Sequence, residues 1–151
     1  MKDVDDAIRQ FGIRIGLPSL KLNADGISEL TVGDGLDVFF EKTKRDTEVR
    51  LNGVVGTPIA ANGETLRALL VANYGGHGTG PAALAMDPVS GEIVLSQLID
   101  VAPLDIGGFA EAVETYLKYL KFWTGYLPTL TPEAGAASRP VASEEVALFR
   151  I

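Results

Sequence analysis

Apolar residues recur at two spacings along the chain, and these spacings predict three helices and a set of strands. A spacing of three to four residues, typical of a helix with one buried face, covers Asp3–Ile15, Asn62–Asn73 and Asp105–Tyr126. Alternation of apolar and polar residues is typical of a strand with one buried face. It predicts strands at Ser19–Asn23, Ile27–Val32, Leu36–Lys42, Thr47–Ile59, Pro81–Asp87 and Glu92–Val101.

Turn residues set the order in which these elements pack. Asp25-Gly26 and Gly33-Asp34-Gly35 separate three apolar runs, and such pairs form tight hairpins because glycine accepts positive φ. The fourth strand, Thr47–Ile59, contains two glycines and a proline, so we expect its end to be irregular. The predicted order of elements is therefore α-β-β-β-(β)-α-β-β-α, in which the brackets mark this irregular strand. This order indicates the α+β class, with a twisted antiparallel sheet and helices packed on one side.

The length of 151 residues suits one folded domain. We expect that domain to cover residues 1–128. Residues 129–151 are rich in Pro, Ala, Gly and Thr, and we expect a flexible C-terminal tail. The tail ends in the apolar segment Glu144–Ile151, EEVALFRI, which could dock on the domain or on a partner.

Composition argues against several classes of protein. The chain has no cysteine, which excludes disulfides, thiolate zinc sites and cysteine nucleophiles. Its net charge of -7 disfavours binding to nucleic acid. No apolar run approaches the ~20 residues that span a membrane, and the N-terminal residues are charged, unlike a signal peptide. These features fit a cytoplasmic protein.

The strongest candidate for catalysis is the single histidine, His77, within the glycine-rich segment Tyr74–Gly80. We expect this segment to be a flexible surface loop. It lacks the lysine of a phosphate-binding loop, and the chain has no Gly-x-Ser-x-Gly motif. No second histidine or cysteine is available as a metal ligand, so we expect no metal and no cofactor. A small enzyme that uses the His77 loop remains an alternative.

The first two helices carry more apolar residues than one buried face requires. The second helix has only Glu64 and Arg67 as charged residues. A helix that is apolar on several sides is buried on several sides. The surplus therefore indicates either a subunit interface or a surface that binds an extended peptide.

Four segments, in order, resemble the class I type III secretion chaperones of the Tir chaperone (CesT-like) family. They read FGIRIGLPSLKLNADGISELTV, LRALLVANY, AALAMDPVSGEIVLSQLIDVAPLD and LKYLKFW, within Val4–Trp123. The resemblance implies a small acidic homodimer in the bacterial cytoplasm. Such a protein binds the N-terminal segment of an effector, keeps it extended and soluble, and delivers it to the export ATPase. It implies neither catalysis nor a cofactor, while charge and hydropathy make neither nucleic acid nor a membrane an expected partner.

The resemblance also implies roles for particular residues. It assigns effector binding to apolar residues of the first helix and first strands, which are Ile13, Leu17, Leu20, Leu22, Val38 and Phe40. It assigns dimerisation to the second helix and the strand after the glycine-rich segment, through Leu66, Leu69, Leu70, Leu84 and Met86. A dimeric adaptor of the same fold, unrelated to secretion, is a second alternative.

Overall fold

A computed structural model describes residues 1–58 and 63–130 of the chain. Three α-helices, two short 3-10 helices (Tyr74–Gly76 and Leu127–Thr129) and five strands are present in these residues. The α-helices and strands are α1 (Val4–Arg14), β1 (Ile27–Val32), β2 (Leu36–Lys42), β3 (Glu48–Gly56), α2 (Gly63–Asn73), β4 (Ala83–Met86), β5 (Ile93–Asp100) and α3 (Ile106–Tyr126). The predicted tail lies outside the described residues, except for residues 129 and 130.

The five strands form one antiparallel sheet in the order β1-β2-β3-β5-β4. The α+β class and the antiparallel sheet are thereby confirmed, with three strands before α2 where four were predicted. Among the described residues, no helix combines the length and the apolar character needed to cross a membrane. The chain divides into two compact units, which are described separately below. Unit 1 comprises Met1–Gly53 and Gln97–Leu117, and unit 2 comprises Val54–Ser96 and Lys118–Ile151.

One face of the sheet supplies the core of unit 1. Val38 and Phe40 of β2 are fully buried, and Leu51 of β3, paired with Phe40, shares that face. The ring of Phe11 on α1 lies 6.0 Å from that of Phe40 and 5.7 Å from that of Phe109 on α3. α1 and the first half of α3 therefore cover the same face of the sheet.

The starts of two helices in unit 1 follow the sequence pattern closely. The side chain of Asp3 accepts a hydrogen bond of 2.8 Å from the backbone N–H of Asp6 and caps α1. The side chain of Asp105 accepts a hydrogen bond of 2.8 Å from the N–H of Gly108 and caps α3.

Side-chain hydrogen bonds to backbone hold unit 2 together. The amide of Asn73, at the end of α2, donates to the C=O of Leu84 at 2.9 Å and accepts from its N–H at 2.8 Å. The indole N–H of Trp123 on α3 donates to the C=O of Gly78 at 2.8 Å, and this contact is buried. Both β4 and the glycine-rich segment are thus fixed to helices by groups distant in sequence.

The strand predicted at Ser19–Asn23 is wrong, because these residues form turns and irregular backbone. The side chain of Asn23 accepts hydrogen bonds from the N–H groups of Asp25, at 2.9 Å, and Ile27, at 3.0 Å. Asparagine side chains that bond nearby backbone compete with strand pairing. The first strand of the sheet is therefore Ile27–Val32.

Candidate functional site

Unit 1 exposes a cluster of apolar side chains between α1 and β1, which we call the α1–β1 surface. It consists of Ile13, Ile15, Leu17, Leu20 and Leu22. Ile13 is 58% exposed and Leu17 is 43% exposed, whereas Leu20 and Leu22 are half-buried. Four of the six residues that the resemblance assigned to effector binding thus reach the surface of this unit wholly or in part.

The other two residues of that assignment, Val38 and Phe40, do not reach the surface. Both are fully buried in the core of unit 1, beneath α1. Alternation correctly placed them on one face of β2, but it could not tell which face the helices cover. Their placement on a binding surface is therefore corrected: they support the α1–β1 surface from inside the core.

The end of α1 fixes the position of Leu17. The N–H of Leu17 donates to the C=O of Gly12 at 2.7 Å, and the N–H of Gly16 donates to the C=O of Ile13 at 3.2 Å. This pair of bonds is the Schellman arrangement, in which a glycine with positive φ ends the helix. Gly16 has a φ of 78°. The exposure of Leu17 is thus a consequence of how the helix terminates.

Gly12 brings the chain after α1 into close contact with the helix. A Cβ atom at this position would lie 2.6 Å from the carbonyl oxygen of Leu17 and 2.8 Å from Cβ of Leu20. No other residue fits without displacing the turn that carries both leucines. Sequence reasoning missed Gly12, although a glycine inside a helical pattern costs about 1 kcal/mol and so signals a close approach.

An open groove runs beside the α1–β1 surface, along β1. Leu17, Leu20 and Lys21 line one side of it, and residues 27–31 line the other. Asn23 donates its N–H to the C=O of Ile27 at 2.8 Å, so the backbone of Ile27 faces away from β2. Along a strand, every second residue directs its N–H and C=O to the same side, so the backbone groups of Glu29 and Thr31 also face away from β2. β1 is the edge strand of the sheet at this end, and these groups can pair with an added strand.

The α1–β1 surface carries charges of both signs: Glu29 lines the groove along β1, and Asp3, Asp5 and Asp6 line an adjoining groove with Leu20, Lys21 and Leu22. Residues 13–22 contain Arg14 and Lys21 and no acidic residue. Both side chains are exposed, and neither forms an ion pair within residues 1–58 and 63–130. The surface therefore offers apolar contacts that are bordered by both basic and acidic side chains.

Unit 2 exposes a second apolar cluster, which we call the α2–β4 surface. It consists of Leu70, Val71, Tyr74 and Met86, of which Leu70 is 70% exposed and Tyr74 is 77% exposed. Leu66 on α2 is half-buried. Three of the five residues that the resemblance assigned to dimerisation therefore reach the surface of this unit.

The remaining two, Leu69 and Leu84, are buried. They belong to the core that joins α2 to β4, beside the paired hydrogen bonds of Asn73. Their placement in an interface is corrected accordingly. A charge introduced at Leu69 would test the core, whereas one at Leu70 would test the surface.

The glycine-rich segment is not the flexible loop that its composition predicts. Gly78 and Thr79 are buried, and the C=O of Gly78 is held by Trp123. A Cβ atom at Gly80, whose φ is 57°, would lie 2.6 Å from the ring of Tyr119. The ring of His77 packs edge-on against Tyr74 at 5.9 Å. In the described part of the chain, no hydrogen bond joins its imidazole to an acid or a hydroxyl.

Several solved structures share this fold, and one of them is a complex from a type III secretion system. A chain of the ExsC–ExsE complex is 24% identical, with a TM-score of 0.71, 85% of this chain covered and 96% of that one. A chain of the ExoU–SpcU complex from Pseudomonas aeruginosa is 20% identical, with a TM-score of 0.61 and coverages of 86% and 98%. A chain of the HopA1–SchA chaperone–effector complex is 14% identical, with a TM-score of 0.67 and coverages of 80% and 91%.

The fold also occurs in YbjN from E. coli, described as a candidate transcription regulator, at 17% identity and a TM-score of 0.56, with coverages of 79% and 87%. No sequence among the curated proteins matches the chain significantly. The profile of the Tir chaperone protein family, CesT, matches residues 6–124, which is most of the chain. The chain therefore belongs to the Tir chaperone protein (CesT) family.

Proposed function

We propose that this protein is a type III secretion chaperone of the bacterial cytoplasm. It binds the N-terminal segment of a cognate effector in an extended form, keeps that segment soluble and delivers it to the export apparatus, including the export ATPase. It acts as a homodimer and catalyses no reaction. Membership of the CesT family and the chaperone–effector complexes among the structural neighbours support this proposal.

The exposed α1–β1 surface is the observation that carries the proposal. An apolar surface beside an open strand edge suits an extended segment, which can add a strand and insert apolar side chains. Here the groove along β1 joins exposed Leu17 to the free backbone groups of Glu29 and Thr31. A catalytic site would instead require convergent polar groups.

Magnitudes show that several anchors are needed. Ordering a six-residue extended segment costs roughly 6–12 kcal/mol of backbone entropy. Each large apolar side chain that becomes buried returns about 1.5–3 kcal/mol, and each new hydrogen bond returns about 0.5–1.5 kcal/mol. Three or four anchors with a few strand hydrogen bonds therefore offset the cost. A dimer, with two such surfaces, binds a longer segment more tightly.

The α2–β4 surface is our candidate for the dimer interface. Leu70, Val71 and Tyr74 are 70%, 57% and 77% exposed, and exposed apolar side chains grouped in this way mark interaction sites. Size-exclusion chromatography with light scattering should give a dimer. Leu70→Asp should give a folded monomer. The side chain is exposed in the single chain, so the charge should leave the fold intact. In the proposed interface the same side chain is buried, so the charge should prevent dimerisation.

Val89→Asp is the matched control for that experiment. Val89 is an exposed apolar residue of unit 2, in the turn between β4 and β5, and it is 95% exposed. This variant should remain a dimer. A monomeric wild-type protein, or a dimer that survives Leu70→Asp, would contradict the proposed interface.

Co-expression with the product of an adjacent gene, followed by pull-down, tests the chaperone function itself. A secreted effector should co-purify, and removal of its N-terminal segment should abolish the interaction.

A dimeric adaptor outside secretion is the second candidate, which the shared fold of YbjN favours. It would bind a neighbour-encoded protein that is not exported. An enzyme that uses the histidine loop would instead lose a measurable turnover in His77→Ala.

A further inference from the structure

We infer that the side chain of Asn73 closes the β4 edge of the sheet against strand addition by a second copy of this chain. This role goes beyond fixing α2 to β4, because it determines which sheet edge accepts a strand. Three observations in unit 2 support it: the register of β4, the hydrogen bonds of Asn73 and the composition of the strand. One consequence rests on the proposed function, namely that an extended effector segment is directed to the β1 edge.

The hydrogen-bond register shows which backbone groups of β4 face outwards. β4 is the last strand in the order β1-β2-β3-β5-β4, so β5 is its only neighbour in the sheet of described residues. Leu84 lies opposite Leu95, and the N–H of Asp87 donates to the C=O of Glu92 at 2.8 Å. Every second residue of an antiparallel strand bonds the same neighbour. Asp87 therefore faces β5, and the backbone groups of Leu84 and Met86 face the open side.

Asn73 takes both outward backbone groups of Leu84. Its amide donates to the C=O of Leu84 at 2.9 Å, and its side-chain oxygen accepts from the N–H at 2.8 Å. An added strand would make this same pair of bonds, one donated and one accepted. The preceding outward N–H, that of Ala82, donates to the C=O of Thr79 at 3.1 Å. The centre of the β4 edge is therefore occupied, and a strand must displace the carboxamide before it can pair there.

β4 needs such protection because its own side chains provide none. Its sequence, Ala-Leu-Ala-Met, has no charged residue, and three of its four side chains are exposed. Uncharged apolar edge strands associate edge to edge, and natural proteins prevent this with charges, prolines, short strands or a covering group. Here the strand is only four residues long, and Pro81 and Pro88 lie on either side of it. Asn73 covers the part of the edge that the prolines leave open.

Closing β4 leaves β1 as the sheet edge that can accept a strand. The outward backbone groups of Glu29 and Thr31 lie along the groove there. An extended effector segment then has one edge per protomer at which to pair. By the same reasoning, two copies that meet at the α2–β4 surface pack through side chains such as Leu70 and Tyr74, and their sheets do not join through β4.

Asn73→Ala in the full-length chain tests this inference, with Asn52→Ala as the matched control. Asn52 is also a half-buried asparagine, but it lies on the central strand β3 and its amide bonds the carboxylate of Glu41 at 3.2 Å. Light scattering should give Asn73→Ala a mass about twofold or more above that of wild type at the highest concentration, because the opened edges pair. Asn52→Ala should match wild type. If Asn73→Ala also matched wild type at every concentration, the inference would be overturned.

A second substitution separates edge pairing from a loss of stability. Ala85 is exposed, and alternation points its side chain away from the face of Leu84. Like charges that meet across paired strands destabilise the pair, so Asn73→Ala with Ala85→Lys should return to the mass of wild type. The lysine lowers the net negative charge of the chain, so stronger overall repulsion cannot explain that return. Association that persisted in the double variant would overturn the inference.

Hydrogen exchange of the wild-type protein needs no variant to fold. The N–H of Leu84 should exchange about tenfold or more slower than an unprotected amide, because Asn73 holds it although no strand of the described sheet lies beside it. An unprotected amide at Leu84 would overturn the inference. No effector enters these assays, so their failure leaves the proposed function standing, and failure to bind an effector leaves their results unchanged.

Discussion

Replacing Gly12 by alanine tests how the α1–β1 surface is built. The new Cβ would lie 2.6 Å from the carbonyl oxygen of Leu17, and the turn must move at least 0.4 Å to bring that separation to 3.0 Å. The same atom lies 2.8 Å from Cβ of Leu20. Since a backbone carbonyl cannot rotate away like a side chain, the turn that carries both leucines must shift.

The size of the effect follows from two opposing terms. Alanine favours the helix by about 1 kcal/mol relative to glycine, whereas overpacking costs about 1–3 kcal/mol. We therefore expect Gly12→Ala to destabilise the protein by about 0–2 kcal/mol. For a chain of this length, each kcal/mol lowers Tm by about 2–4 °C. Displacement of one leucine anchor, worth about 1.5–3 kcal/mol, should weaken binding of the effector segment about tenfold or more.

Gly125→Ala is the matched control. Gly125 also lies inside a helix, but no atom lies within 4 Å of the position of its added Cβ. This variant should be stabilised by up to about 1 kcal/mol and should bind the effector segment like wild type. Urea denaturation measures the stability of each variant, and calorimetric titration measures its affinity for the effector segment. If Gly12→Ala matched Gly125→Ala in both, the proposed role of Gly12 would be refuted.

Two further changes address the stability of the individual units. Trp123→Phe removes the donor to the buried C=O of Gly78, so urea denaturation should show a loss of about 1–3 kcal/mol; unchanged stability would contradict the anchoring role. Hydrogen bonds from Lys42 to the carboxylates of Asp5, at 3.0 Å, and Asp46, at 3.1 Å, raise the pKa of Lys42. A raised pKa stabilises the fold at lower pH and loses its effect as pH rises above about 10.5. Wild type should therefore lose more stability than Lys42→Gln in that range, and parallel pH profiles would argue against the effect.

The sequence predicts the larger elements well because their signals are local. All three helices show apolar residues at helical spacing, and Asp3 and Asp105 cap two of them as their types suggest. The hairpin between β1 and β2 follows from its glycine-flanked turn. Such features depend on neighbours within a few residues, so periodicity and turn chemistry suffice to find them.

The errors have two origins, which are hydrogen bonds that override alternation locally and packing against residues distant in the sequence. Leu20 and Leu22 alternate as in a strand, but the Schellman end of α1 and the side chain of Asn23 hold the intervening backbone in turns. Phe40 looks like any other apolar strand residue, and only the position of α1 shows that it is buried. The glycine-rich segment looks flexible until Trp123, 45 residues away, binds it. Alternation identifies apolar faces, but tertiary packing selects those that remain exposed.

The central claim is that the apolar α1–β1 surface is exposed in order to bind an extended effector segment. Calorimetric titration of Leu17→Asp with the N-terminal segment of the co-purified effector tests it most directly, with Val89→Asp as the control. We expect Leu17→Asp to raise Kd at least tenfold while Tm stays within a few degrees of wild type, and Val89→Asp to leave Kd unchanged. Equal Kd values for wild type and both variants would contradict the claim.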